Sequence, residues 1–157
     1  MQVGLYRLAY HLLRLYWFVF RPRTYGARCI VVCEHHLLLV RHTYGHSFWT
    51  LPGGRLAKGE TPEAAVRREV QEEVGICLGG VQSLGQFVST QTYNTDTVYV
   101  FSASTPSQAC TIEPGEILEA RWFALAAMPQ MSKKTRIALQ LWQEQEKTGA
   151  PAPAMRG

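Results

Sequence analysis

No two cysteines of the chain stand at C-x-x-C spacing. Cys29, Cys33, Cys77 and Cys110 are spread along it, two of them inside the apolar run "RCIVVC". That argues against a zinc or disulfide framework and for reduced core cysteines of a cytoplasmic protein. A clean membrane span is missing too. The most apolar segment, "MQVGLYRLAYHLLRLYWFVFRPR", is interrupted by Arg7, His11 and Arg14, whose i, i+4, i+7 spacing puts them on one face of an amphipathic helix. The lack of a small-residue cleavage site after it argues against a secretory signal. Clustered basic residues are also absent. The 16 Lys and Arg exceed the 12 Asp and Glu by four, with a pI near 9.0, but they are scattered. This balance suits an anionic small molecule, and no nucleic-acid partner is expected. There is no internal repeat, and 157 residues suit one domain with its own core.

What remains divides into three parts. Residues 1–22 form the expected amphipathic helix, docked on the domain or on a second copy in a homodimer. The alternative is a membrane-peripheral placement with Arg21 and Arg23 at lipid phosphates. Residues 23–147 form the expected domain, and the tail 148–157, "TGAPAPAMRG", is expected to be disordered. Within the domain, "YGARCIVVCEHHLLLVRH" reads as two strands paired in a hairpin about Glu34–His36. "VQSLGQFVSTQTY" and "DTVYVFSAS" read as strands about a turn at Asn94–Asp96, and "LEARWFAL" as a further strand. Ser132 caps a terminal helix over "SKKTRIALQLWQEQEK". His35, His36, His42 and His46 fall at hairpin and turn positions and read as solvated loop residues.

Between the strands lies "GRLAKGETPEAAVRREVQEEVGI", Gly54 to Ile76, with glutamates at 60, 63, 69, 72 and 73. Thr61 is a suitable N-cap, Pro62 fits the first helical position, and Gly75 can adopt the left-handed conformation that ends a helix near Val74. On that helix Glu69, Glu72 and Glu73 fall at i, i+3 and i+4 and share a face, beside an apolar stripe of Val66, Val70 and Val74. Arg68, one turn before Glu72, is placed to hold it by a charge-assisted hydrogen bond. Carboxylates so crowded repel one another unless solvated or neutralised. A hard divalent cation that takes oxygen ligands and bridges to phosphate is the natural neutraliser.

Read as a pattern, Gly54, five residues, Glu60, seven residues and then Arg68-Glu69-Val70-Gln71-Glu72-Glu73-Val74-Gly75-Ile76 resembles the Nudix box, G-x5-E-x7-R-E-U-x-E-E-x-G-U, at every specified position. The flanking strands, the preceding "LPGG" and the terminal helix extend the resemblance over about Tyr25 to Lys147. It implies an α/β/α sandwich with a mixed sheet. It further implies a hydrolase that cleaves the pyrophosphate bond of a nucleoside diphosphate linked to another moiety, with Mg²⁺ as cofactor and Mn²⁺ able to substitute. Alternatives are a house-cleaning pyrophosphatase of oxidised or non-canonical nucleoside triphosphates, or a non-catalytic nucleotide sensor. The resemblance makes Glu69, Glu72 and Glu73 metal ligands together with the Gly53 carbonyl, and makes Gly54, Glu60, Arg68 and Gly75 the structural support of the box. The catalytic base is Glu69 or a glutamate outside the box. Glu116 is the first choice there, as base or added metal ligand, with Glu113 and Glu119 as competitors. Arg41, Tyr44, Phe48, Trp49, Arg55 and Tyr93 are candidate substrate contacts, by charge or by ring stacking. Marks of substrate preference are few. The proline of ADP-ribose-type members and the upstream motif of the coenzyme A type are absent, and only Tyr93 hints at dinucleoside polyphosphates.

Overall fold

The structure is a computed structural model that describes residues 23–44, 48–91 and 94–149. The expected N-terminal helix, the tail beyond Gly149, His46 and Tyr93 lie outside the described residues. Runs rich in Val, Ile and Leu form strands β1 (Arg23–Cys33) and β2 (His36–His42). Then follow helix α1 (Pro62–Val74), strands β3 (Val81–Gln91), β4 (Asn94–Ser104) and β5 (Ile117–Ala124), and helix α2 (Lys133–Thr148). One mixed five-stranded sheet results, in the order β3-β4-β1-β2-β5, with β1 and β4 parallel and every other pair antiparallel.

Alternation along the strands divides the core between the two faces. Ala27, Cys29, Val31, Leu38, Val40 and Phe101 pack against Ala65, Val66, Val70 and Val74 of α1. Ile30, Leu37, Leu39, Val98 and Val100 pack against Ala138 and Leu139 of α2. The apolar stripe of α1 is thus the one its spacing indicates, and its ends are set as the sequence suggests. Thr61 Oγ1 accepts from the Ala64 amide at 3.2 Å, and Gly75, at φ 68°, donates to Gln71 O. Ser132 caps α2 in the same way.

Three expectations are corrected, and a fourth, the hairpin of β1 and β2, holds only beside its turn. β1 and β2 pair only at Val32↔Leu37 and Cys33↔His36, next to the turn; beyond these they part, because another segment takes the place between them. The turn expected at Asn94–Asp96 is part of β4. Asn94 pairs with Gln91 and Asp96 with Ser89, and Asp96 is held there by Thr24 Oγ1 at 2.8 Å and by Lys134. All four cysteines are free, but Cys77 is exposed and Cys110 half-buried, so only Cys29 and Cys33 are core residues. Burial pushes the Cys29 thiol up to about 12, which leaves it unreactive. His36 and His42 lie in β2 rather than in a solvated loop, and the His36 Nδ1 is buried. Among the described residues no helix is long and apolar enough to cross a membrane.

Candidate active site

The segment between β1 and β2 is Thr50 to Leu56. Thr50 exchanges both backbone hydrogen bonds with Val40 of β2 at 2.9 Å. Pro52 O accepts from Cys29 N at 3.0 Å, Gly54 O from Ala27 N at 2.9 Å, and Leu56 N donates to Tyr25 O. "LPGG" therefore replaces a strand partner without being a strand. Gly53 has φ 130° and lies flat on β1: a Cβ there would stand 2.2 Å from Ala27 O. Only glycine combines that conformation with that approach.

Two carbonyls of this segment, Leu51 O and Gly53 O, accept from no backbone amide among the described residues. The guanidinium of Arg28 fills the need: Nη1 donates to Leu51 O at 3.2 Å and also to Gly53 O. Sequence reading left Arg28 aside. Its one signal was a charge standing amid the apolar residues of β1. Burial lowers its pKa, and the charges of Glu73, Glu69 and Asp96 oppose that shift.

On the other side of Gly53 stands Glu73, 3% exposed, whose Oε2 accepts from Gly53 N at 2.8 Å. Burial is the first cause that pushes its carboxyl up to about 7. The charges of Glu69 and Glu116 add to it, while the Gly53 hydrogen bond and Arg28 pull the other way. Glu69 is packed against Gly54, where a Cβ would lie 2.3 Å from its carboxyl carbon. Glu72 projects outward and is 59% exposed.

Arg68 ties these pieces together. Nε and Nη2 form a bidentate pair with Glu60 at 2.9 Å each, Nη1 reaches Glu69 at 2.8 Å and Glu72 at 3.1 Å, and Nη2 also donates to Arg55 O. Glu60 uses the same carboxylate to accept from Ala57 N, which closes the loop before the helix. The Arg68 hydrogen bonds, with that from Ala57, bring Glu60 down to about 2. Arg68→Ala should therefore free the loop and two of the three box acids at once. The expected result is a lower melting temperature and an apparent Mg²⁺ affinity weaker by about tenfold. Thermal melts and Mn²⁺ titration check this, and unchanged metal affinity would contradict it.

The three glutamates outside the box part company. Glu113 accepts from Gly115 N within its own turn. Glu119 is held by Arg41 and Arg121 on the α2 face. Glu116 alone of the three raises the proton affinity of Glu73, and its backbone carbonyl accepts from Thr43 N at 2.8 Å. His42, at the end of β2, has Nδ1 3.9 Å from Glu73 Oε1. Burial, then the charge of Arg28, holds its pKa down, against Glu116.

Among the described residues no three His, Cys, Asp or Glu side chains converge closely enough to hold a metal ion as they stand. The donor set nevertheless fits a hard cation. The charges of Glu69 and Glu116 bear on the buried Glu73 carboxyl, and the donors that the box acids and the Gly53 carbonyl offer are oxygens.

The candidate substrate residues fall into separate places. Arg41 and Trp49 meet on the α2 side, the guanidinium 5.0 Å from the ring centroid, and Trp49 lies edge-on to Phe123 at 4.8 Å. Tyr44 is 82% exposed, Phe48 lies at the surface, and Arg55 is exposed beside the box.

Comparison with known proteins agrees with this geometry. A NUDIX domain model matches residues 22–142. The NAD-capped RNA hydrolase NudC of Salmonella heidelberg is 32% identical over 121 residues, which cover 73% of this chain and 46% of that protein. The corresponding protein of Shigella flexneri is similar to the same extent. This chain therefore spans about half the length of these relatives. Among solved structures, a MutT NUDIX hydrolase from Burkholderia pseudomallei aligns with TM-score 0.71 at 29% identity, covering 76% of this chain and 98% of that one. A UDP-X diphosphatase aligns with TM-score 0.66 at 23% identity, covering 86% and 68%, and shares the fold. With the family model covering most of its length, and the box glycines, arginine and glutamates disposed around one loop-helix unit, the chain belongs to the Nudix domain family.

Proposed function

We propose that residues 23–147 form an Mg²⁺-dependent hydrolase that cleaves the pyrophosphate bond of a nucleoside diphosphate linked to another moiety. The observation that carries this reading is the state of Glu73: a carboxylate buried to 3% exposure, fixed by the Gly53 amide and crowded by the charges of Glu69 and Glu116. Such a group is costly unless a cation shares the site. Glu69, Glu72, Glu73 and the Gly53 carbonyl are the residues that would hold it, which leaves Glu116 to take a proton. When bound, the metal screens the anionic diphosphate and stabilises the leaving phosphate.

The chain's own residues supply the rest. Glu116 is the proposed base, because the Glu69 carboxylate is already engaged by Arg68, whereas the Glu116 side chain has no hydrogen-bonded partner among the described residues. Water attacks one phosphorus, its proton passes to a Glu116 carboxylate oxygen, and the bridging P–O bond breaks to give a nucleoside monophosphate and the phosphorylated second moiety. Arg28 keeps the Gly53 carbonyl oriented, and Arg68 sets Glu69 and Glu72. The names of the relatives, a hydrolase of NAD-capped RNA and a UDP-X diphosphatase, support a substrate of the diphosphate-linked class. The free thiols support a reducing, cytoplasmic compartment.

A panel of nucleotide sugars, NAD, ADP-ribose and oxidised nucleoside triphosphates, scored by kcat/KM with Mg²⁺, with Mn²⁺ and in EDTA, tests the reading. Turnover of the diphosphate-linked compounds, lost in EDTA, is expected. Preference for the triphosphates would turn the assignment to a house-cleaning pyrophosphatase. Binding without turnover would make the protein a sensor, and full activity in EDTA would refute the metal.

A further inference from the structure

A cleft of about 430 Å³ opens beside the box, lined by Arg23, Thr24, Tyr25, Arg55, Lys58 and the Glu60 loop. Its charge is one-sided. Among the described residues Glu60 is the only acid lining it, and that carboxylate is saturated by the two hydrogen bonds of Arg68 and the Ala57 amide. Arg23, Arg55 and Lys58 are exposed and make no side-chain ion pair or hydrogen bond among the described residues. This sets them apart from Arg41, Arg67, Arg68, Arg121 and Lys134, each engaged with a carboxylate. Three cations without a carboxylate partner among the described residues face one small concavity and give it a positive field. Tyr25, 44% exposed, adds an aromatic wall.

The position of the cleft narrows what enters it. Arg55 follows Gly54, which covers Glu69, and Arg55 O accepts from Arg68, which also holds Glu69 and Glu72. Arg68 bridges Glu60, which lines the cleft, and Glu69 with hydrogen bonds of 2.9 and 2.8 Å, so two hydrogen bonds and one guanidinium, roughly 8 Å, separate the cleft from the box acids. That is the reach from a diphosphate across a ribose to a substituent on its far side. We propose that this cleft binds a further phosphate carried on the ribose of the nucleotide substrate, outside the bond that is cleaved. The ligand class is a nucleotide with a 2′- or 3′-phosphomonoester: Arg23, Arg55 and Lys58 take the dianion and the Tyr25 ring lies against the sugar or base. The proposal rests on the nucleotide-hydrolase reading for the identity of the neighbouring site, not for the charge of the cleft.

The test separates binding from turnover. Calorimetry on the metal-free full chain in EDTA compares AMP with adenosine 2′,5′-bisphosphate and adenosine 3′,5′-bisphosphate; hydrolysis with Mg²⁺ compares NAD with NADP. At least one bisphosphate should bind about tenfold more tightly than AMP, with an advantage that shrinks as salt is raised. The double variant Arg23→Gln/Lys58→Gln should bring the ratio to near one with an unchanged melting temperature, because both side chains are solvent-exposed. Equal binding of all three by the wild type, or an advantage that survives in the double variant, overturns the proposal. Should no diphosphate be hydrolysed while the binding preference holds, the hydrolase reading fails and the phosphate cleft stands; hydrolysis without the preference has the opposite meaning.

Discussion

Glu73→Gln is expected to lower kcat about a thousandfold and, in the absence of metal, to raise the melting temperature at pH 8. The two effects have one origin. Glu73 is buried and its carboxyl is pushed up to about 7 from an ordinary value of 4.5. Between those values the folded protein binds the proton more tightly than the unfolded chain does. The associated stability is therefore complete below about pH 4.5 and lost as pH rises through 7, on the order of a few kcal/mol. Glutamine keeps an oxygen for the Gly53 amide and removes the charge. The difference in melting temperature between variant and wild type should thus be small near pH 4.5 and grow to a plateau above pH 7. Mg²⁺ should reverse the order, because the wild type gains a ligand-linked stabilisation that the variant largely lacks. Melts in EDTA and in Mg²⁺ across that range decide the matter. A variant that melts below the wild type at pH 8 in EDTA would show that Glu73 is stabilised as an anion by Arg28 rather than strained by its neighbours.

The second large effect separates two adjacent glycines. In Gly53→Ala the new methyl would meet the backbone of β1, 2.2 Å from Ala27 O, at a φ of 130° that alanine rarely adopts. Backbone cannot swing aside as a side chain can, and a loss of about 3 kcal/mol or more is expected. In Gly54→Ala the three atoms nearest the methyl, at 2.3–2.5 Å, all belong to the end of the Glu69 side chain. Glu69 can rotate away, so stability should fall little while kcat falls by about ten- to a hundredfold through a displaced box acid. Urea unfolding and steady-state kinetics on both variants test the division. Equal loss of stability in the two would mean that the segment adapts as a whole.

How far the sequence reveals this protein depends on the range of the interaction concerned. The ends of α1 and its apolar stripe are set by contacts within a few residues, between Thr61 and Ala64 or Gly75 and Gln71, and spacing displays them directly. The pairing of β1 and β2 looks equally local and is not. It is broken by Thr50–Leu56, a segment that follows both strands and inserts between them, and no periodicity in "YGARCIVVCEHHLLLVRH" announces the insertion. Asn94 and Asp96 have the composition of a turn, yet Thr24 and Lys134, 72 and 38 residues away, hold Asp96 in a strand. Arg28 escapes notice and His42 reads as a solvated loop residue for the same reason: each is defined by Gly53 or Glu73, which lie far along the chain. The helical spacing of Glu69, Glu72 and Glu73 also says less than it suggests. One face of α1 carries all three, but Gly53 draws Glu73 inward while Glu72 stays in solvent.

The wedge between β1 and β2 has a further consequence for motion. In the middle of a sheet, amides are ordinarily protected by a neighbouring strand and exchange their protons only when the domain unfolds. The amides of Ala27 and Cys29 are protected instead by Gly54 O and Pro52 O, which belong to the loop that positions Glu69 and Glu73. Every excursion of that loop uncovers two central amides, so their deuterium uptake reads the opening of the site directly, residue by residue and without a substrate. The amides of Val32 and Cys33, beside the short stretch where β1 and β2 do pair, provide the internal reference.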